Sequence, residues 1–166
     1  ALQEIRDELV QQGYLEDPTY RPQSTAASDT LNVRKFKTPN SFEVWVGRNN
    51  RQNDLLISKA ATDYDLWFHT QEIPGSHVLL RLDAGQVPAD EDFQFTADVA
   101  AYFSRAQQAD QVPVVYTQPR YVFKPKGALP GMVTYTHETV LWGQPTKFHA
   151  RLNQERPPSA ATLATL

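Results

Sequence analysis

The sequence contains no cysteine. That absence excludes disulfides, cysteine nucleophiles and thiolate zinc sites, and it is compatible with a cytoplasmic protein. Long apolar runs are missing as well: no stretch approaches the ~20 residues a membrane-spanning helix needs. The first dozen residues are polar and charged, so no secretory signal is expected. Excess positive charge is lacking too. With 16 Lys and Arg against 19 Asp and Glu, the formal net charge is −3, unlike a generic nucleic-acid binder with a strongly basic domain. The chain starts at Ala1 and its single Met is Met132, so it reads as a piece of a longer protein.

What is present suits one folded domain. The 166 residues are 40% hydrophobic and include three Trp, seven Tyr and eight Phe, enough for a substantial core. The charge is segregated. Residues 1 to 20 carry −4 and residues 83 to 98 carry −5, whereas residues 47 to 60 carry +2 and residues 120 to 126 carry +3. Such segregation allows a basic face on an acidic protein.

Leu2, Ile5 and Leu9 recur at helical spacing, so residues 2 to 12 read as a helix stopped by Gly13. Residues 16 to 30, rich in Pro, Ser, Thr and Ala, read as a linker. Strands are expected around Arg34 to Phe36 and Phe42 to Val46, with a turn at Asn40-Ser41. A short helix follows Gly47, capped by Asn53 or Asp54. Leu66 to Thr70 and His77 to Leu82 are the next strands. Residues 83 to 95 read as an acidic loop, and Ala97 to Gln108 as a helix with Val99, Tyr102, Phe103 and Ala106 on one face. Val112 to Val115 is a strand that resumes at Tyr121 to Phe123. Met132 to Tyr135 and Thr139 to Trp142 read as a hairpin, and the pattern decays from Thr146 into a flexible tail. The sum is an α+β fold: a largely antiparallel sheet of about six strands with two or three helices.

Three segments carry chemistry. DLWFHTQEIPGSHVLLR (Asp65 to Arg81) places His69 and His77 on either side of a Pro74-Gly75-Ser76 turn. Two imidazoles, a hydroxyl and backbone N–H groups at a hairpin tip can hold a phosphate; they can equally be a well-made hairpin. Asp65, His69 and His77 are also the minimum set for a metal site, though packing and backbone hydrogen bonds account for such histidines more simply. Ser76 and His77 are no nucleophile pair, because strand neighbours point to opposite faces. Arg48-Asn49-Asn50-Arg51-Gln52-Asn53-Asp54 is dense in guanidinium and amide groups suited to phosphates and base edges, and also to helix capping. Lys124-Pro125-Lys126 precedes Gly127 to Gly131: exposed amides with point charges, or a Pro/Gly turn with solvated lysines. The GxxxxGK[ST] order is absent, so NTP hydrolysis is not supported. Trp45, Trp67, Phe68, Tyr116 and Trp142 read as core, with Tyr116 or Tyr121 available for stacking.

GRNNRQND (Gly47 to Asp54), DLWFH (Asp65 to His69), PGSHV (Pro74 to Val78) and KPKGALPGMV (Lys124 to Val133) together resemble, in order and spacing, the NFACT-R domain. That domain is the C-terminal part of the Rqc2/NEMF/RqcH family, whose bacterial members were also labelled fibronectin-binding proteins. The likeness covers roughly residues 4 to 145. It implies the end of a coiled-coil arm over 1–15, a linker over 16–32, the NFACT-R domain over 33–148 and a flexible tail over 149–166. It also implies a non-enzymatic, cytoplasmic module with no cofactor, no metal and no membrane contact. Its implied partners are the large ribosomal subunit, tRNA and other domains of the same full-length protein. In that family the whole protein extends stalled nascent chains without a template. The acidic stretch around Asp90 to Phe95 departs from the compact pattern of the family.

The residues expected to contact RNA are Arg48, Asn49, Asn50, Arg51, His69, Ser76, His77, Lys124, Lys126, Gly127 and Gly131. A protein-binding adaptor using exposed aromatics and acidic segments is the second reading. A metal-dependent hydrolase at Asp65, His69 and His77 is the third. On the first reading, changing Arg48, Arg51, Lys124 and Lys126 together to Ala weakens RNA binding and flattens its salt dependence, which a salt titration with labelled tRNA checks.

Overall fold

The computed structural model describes residues 30–155. The predicted helix over residues 2 to 12, the coiled-coil arm and nearly all of the linker lie outside the described residues.

Arg34–Lys37 (β1) and Glu43–Val46 (β2) pair as an antiparallel hairpin: β1 is mostly charged and exposed, β2 buries Val44 and Val46 on one face, and Ser41 lies in the left-handed region at the turn. After Asn50–Leu55 (α1) a π-turn over Leu56–Ala60 follows. Leu66–Thr70 (β3) and Val78–Leu80 (β4) form the second hairpin, as the sequence indicates. Val112–Thr117 (β5) and Thr139–Gly143 (β8) complete a six-stranded antiparallel sheet in the order β1-β2-β4-β3-β5-β8. With the helices Asp90–Tyr102 (α2) and Pro145–Glu155 (α3), the fold is α+β.

The sheet is covered on both faces, and strand alternation sorts the side chains between them. Val44, Val46, Phe68, Val78, Leu80 and Val114 pack against Phe95, Val99 and Ala101 of α2 and Phe148 of α3. Trp67, Leu79 and Val115 face the other way, toward Leu56, Val122 and Val133. That second face is roofed by α1, the π-turn and a small sheet of Val122–Phe123 (β6) and Thr134–Tyr135 (β7). β4 is central and apolar throughout because both of its faces are buried.

Four expectations are corrected. Residues 83 to 95 are not all loop: α2 starts at Asp90, whose neighbours Glu91 and Asp92 share the first turn, where carboxylates complement the helix dipole. The carboxylate of Asp92 reaches back to the backbone N–H of Ala89 (2.8 Å) and also accepts from Asn40. The same helix stops at Tyr102 rather than Gln108, because Ser104 bridges to Gly75 and the Arg105 N–H donates to the Pro74 carbonyl (2.9 Å). Met132 to Tyr135 and Thr139 to Trp142 are not a hairpin: β7 pairs with β6, and β8 pairs with β5. The chain changes sheets at the turn where His137 has φ 59°.

The fourth correction concerns the decay after Thr146, since α3 runs to Glu155. Phe148 is 2% exposed and meets Phe36, Phe95 and Tyr102 in edge-on ring contacts. One aromatic anchor holds an otherwise polar helix, which is why periodicity misses it. Phe148→Ala is expected to lower stability by about 3–5 kcal/mol, the range for a buried aromatic truncation. Urea unfolding checks this, and an unchanged midpoint would make α3 dispensable to the core.

Candidate functional site

The turn after β2 begins at Gly47, where a Cβ would collide with the side chain of Asn53, so only glycine fits. Asn49, in extended conformation, caps α1 by accepting the Gln52 N–H at 2.9 Å. The cap is therefore Asn49, not Asn53 or Asp54. Those two residues hold other loops: Asn53 Oδ1 accepts from the His77 N–H (3.1 Å), and Asp54 Oδ1 accepts from the Gly131 N–H (3.0 Å). Gln52 accepts from Asn32 (2.7 Å) and donates to the Thr30 carbonyl (3.0 Å). Much of the polarity in residues 50 to 54 thus stabilises the fold. Arg48 and Asn49 are exposed.

The exposed pair lines a groove of about 300 Å³ together with Ser76 and three residues distant in sequence, Arg34, Ser104 and Arg105. β1 supplies Arg34, whose guanidinium lies 5.4 Å from the Phe103 ring centroid. The early stop of α2 supplies Arg105, pinned by its N–H to Pro74. The Ser76 N–H donates to the Phe103 carbonyl (2.9 Å), which fixes the turn against the segment after α2. Three arginines and Ser76 line one concave cationic surface, while the Ser104 hydroxyl is engaged within its own turn, donating to the Ala101 carbonyl (2.7 Å) and accepting from the Ala106 N–H (3.1 Å). Guanidinium groups can grip phosphate bidentately. Arg34 and Arg105 were not singled out by the sequence: Arg34 belongs to a strand, Arg34-Lys35-Phe36-Lys37, whose cations read as solvated, and Arg105 is an isolated cation.

The other expected site residues are placed as follows. Asn50 is buried beneath Gly131, whose φ of 84° and contact with Asn50 leave no room for a Cβ. Arg51 is half-buried. Lys124 is exposed but folds over its own loop: its Nζ donates to the carbonyls of Leu129 (2.6 Å) and Met132 (3.3 Å) and lies 3.3 Å from Asp54. Lys126 and Gly127 are exposed at the tip of that loop, outside the groove. Asp65 is 1% exposed; its carboxylate accepts from the Thr62 and Leu82 N–H groups and pairs with Arg81 (3.1 Å), so it closes a loop around Arg81 rather than facing the histidines. Among the described residues no group of three or more His, Cys, Asp or Glu side chains converges as metal ligands would.

His69 and His77 sit edge to face, 5.3 Å apart at their centroids. His69 directs Nδ1 at the Thr70 carbonyl (2.7 Å) and Nε2 at the Gly75 carbonyl (3.2 Å). Burial holds its pKa below the usual value, against the pull of those two carbonyls. His77 directs Nε2 at the Gly131 carbonyl (3.1 Å). Burial, and then the neighbouring His69, lower its pKa to about 3. Both imidazoles are neutral at neutral pH and add no positive charge. Of the aromatics expected in the core, Trp142 is 55% exposed on the outer edge of β8. Tyr121 stacks on His137 at 4.0 Å.

Comparison with known proteins agrees with the sequence motifs. The family described as "NFACT protein RNA binding domain" matches residues 32–135. "Rqc2 homolog RqcH" of Bacillus subtilis is 38% identical over 144 residues, covering 87% of this chain and 25% of the relative. The homologue in Streptococcus suis is 38% identical over 148 residues, covering 88% of this chain and 26% of its own length. The chain thus spans about a quarter of these curated relatives. Among solved structures, the C-terminal part of the fibronectin/fibrinogen-binding protein from Streptococcus suis superposes with a TM-score of 0.69 at 33% identity, over 89% of this chain and 58% of that one.

His77 gives the fold a pH signature. Its pKa moves from 6.5 when unfolded to about 3 when folded. The native chain therefore binds fewer protons in that window, and stability falls as pH is lowered through it. Between pH 7 and pH 5 the loss is about 2 kcal/mol. His77→Gln keeps a donor for the Gly131 carbonyl but cannot titrate, so its loss between urea melts at the two pH values is expected to be smaller by that amount. Equal losses in both proteins would remove His77 as the source.

Proposed function

The chain belongs to the NFACT RNA-binding-domain family, and from that premise we propose that it is the RNA-contacting module of an Rqc2-type ribosome quality-control factor. The observation that carries this reading is the groove in which Arg34, Arg48 and Arg105 converge with Asn49 and Ser76. Arginines with polar side chains on a concave surface suit a phosphodiester backbone. In the whole protein, this module would sit on the large ribosomal subunit or its bound tRNA, in the cytoplasm, beside the domains that carry out nascent-chain tailing. Its own part is binding, not catalysis.

A second reading follows from the exposed Val140 (46%) and Trp142 (55%) on edge strand β8 and from the fibronectin/fibrinogen-binding designation of the similar structure. On that reading the domain docks a protein through an apolar edge. Salt separates the two, because phosphate contacts release counterions and apolar contacts do not.

The triple variant Arg34→Ala, Arg48→Ala, Arg105→Ala tests the groove. Its affinity for single-stranded RNA or tRNA is expected to fall at least tenfold. The slope of log K against log salt is expected to flatten by about 2, near 0.7 for each single-strand phosphate that the three arginines neutralise. A folded triple variant with wild-type affinity and slope would overturn the assignment. Lys124 is left intact because it anchors its own loop.

A further inference from the structure

A second cavity, of about 260 Å³, lies on the far side of the Pro74-Gly75 turn; both residues line it as well as the groove. It is roofed by Gly131 and Met132 and walled by Trp67, His77 and Tyr135. Its size is below the ~300–1,000 Å³ typical of pockets for drug-sized ligands, which leaves room for one small ring system. Its chemistry differs from that of the groove. No Lys or Arg lines it, and its acidic member, Glu72, would repel a phosphate.

Two of its lining residues each carry a buried polar atom with no hydrogen-bond partner: Nε1 of Trp67 and Nδ1 of His77. Trp67 is 0% and His77 1% exposed. The indole nitrogen can only donate. The imidazole Nδ1 can only accept, because Nε2 faces the Gly131 carbonyl and must carry the proton. One orphan donor and one orphan acceptor thus occur on rings 5.4 Å apart, set edge to face. Native folds satisfy nearly all such atoms, so an unsatisfied complementary pair beside a cavity calls for an explanation.

We propose that this cavity receives one unstacked nucleobase of the bound strand, with an acceptor on the base edge facing the Trp67 indole N–H and a donor facing His77 Nδ1. This rests on the RNA-contacting reading above and assigns the second cavity its part of the nucleotide. A base edge carries acceptors beside donors, is neutral, and packs well between aromatic rings. A free anion is charged and offers the rings no planar face. Because Pro74 and Gly75 wall both cavities, a backbone held by the arginines lies one turn away from the base pocket. Met132, an unbranched thioether, is the part of the roof that yields as the base enters.

The test needs no variant of the pocket itself. The full chain, labelled with ¹⁵N, gives an indole signal for each of Trp45, Trp67 and Trp142. Trp45→Phe and Trp142→Phe assign the Trp67 signal by elimination. Each of the four ribonucleosides, and inorganic phosphate, is then titrated up to its solubility limit. The expected result is a saturable shift of the Trp67 signal with at least one nucleoside and none with phosphate, unchanged in the Arg34, Arg48, Arg105 triple variant. A Trp67 signal that no nucleoside moves, or that phosphate moves equally, would overturn the proposal. The two readings fail separately. A triple variant that loses RNA affinity beside an unmoved Trp67 signal retains the groove and removes the pocket. A nucleoside-dependent shift beside wild-type RNA affinity in the triple variant does the reverse.

Discussion

Residue 77 is the tie on which the site depends. Its backbone N–H donates to Asn53 Oδ1 (3.1 Å), its carbonyl accepts from the Gly47 N–H (3.0 Å), and its ring nitrogen donates to the Gly131 carbonyl (3.1 Å). One buried residue thereby fastens the 47–54 segment, the 74–77 turn and the 124–131 loop to one another. Each buried partner left unpaired would cost about 1–3 kcal/mol, so the three segments are held as a unit. The histidine that resembles a ligand in the sequence acts as the joint beneath the candidate surfaces.

That joint explains the division among the polar residues. Asn50, Gln52, Asn53 and Asp54 turn inward and hold loops in place, while the exposed Lys124 ties its ammonium to its own loop. Arg48, Asn49 and Ser76 line the groove, although Asn49 Oδ1 also caps α1 and the Ser76 N–H also fixes the turn. The Pro74-Gly75 turn then separates a cationic surface from a neutral, aromatic-walled cavity. A nucleotide has the same two chemistries, a charged backbone and a neutral planar base.

A formal charge of −3 does not weaken the groove. The acidic run of Asp90, Glu91 and Asp92 occupies the first turn of α2, while the groove lies just past the last residue of that helix. Thirteen helical residues separate the two ends by about 20 Å, more than twice the ~8 Å screening length at physiological salt. The acidic residues stabilise a helix end and leave the arginine field intact.

Much of the sheet was legible in the sequence. Short β-prone runs and turn residues at Asn40-Ser41 and Pro74-Gly75 place β1 to β4, because the register of each hairpin depends on neighbours close along the chain. The motifs around Gly47, His69, His77 and Gly131 likewise identify the family. The sequence could not reveal where α2 stops, that β7 and β8 join different sheets, or that Phe148 anchors α3. Each of these is decided by a partner outside the segment itself and beyond the reach of its local pattern: Gly75 for the helix end, β6 and β5 for the strands, Phe36 and Phe95 for the anchor. The same holds for the site. Local chemistry marked residues 48, 49 and 76, but Arg34 and Arg105 join them only because β1 and the end of α2 meet at the turn. Lys124 remains exposed, with its ammonium tied to the carbonyls of its own folded loop. Residue types and short-range spacing determine what a segment can do; which atoms remain unpaired and open to a ligand is decided by long-range packing.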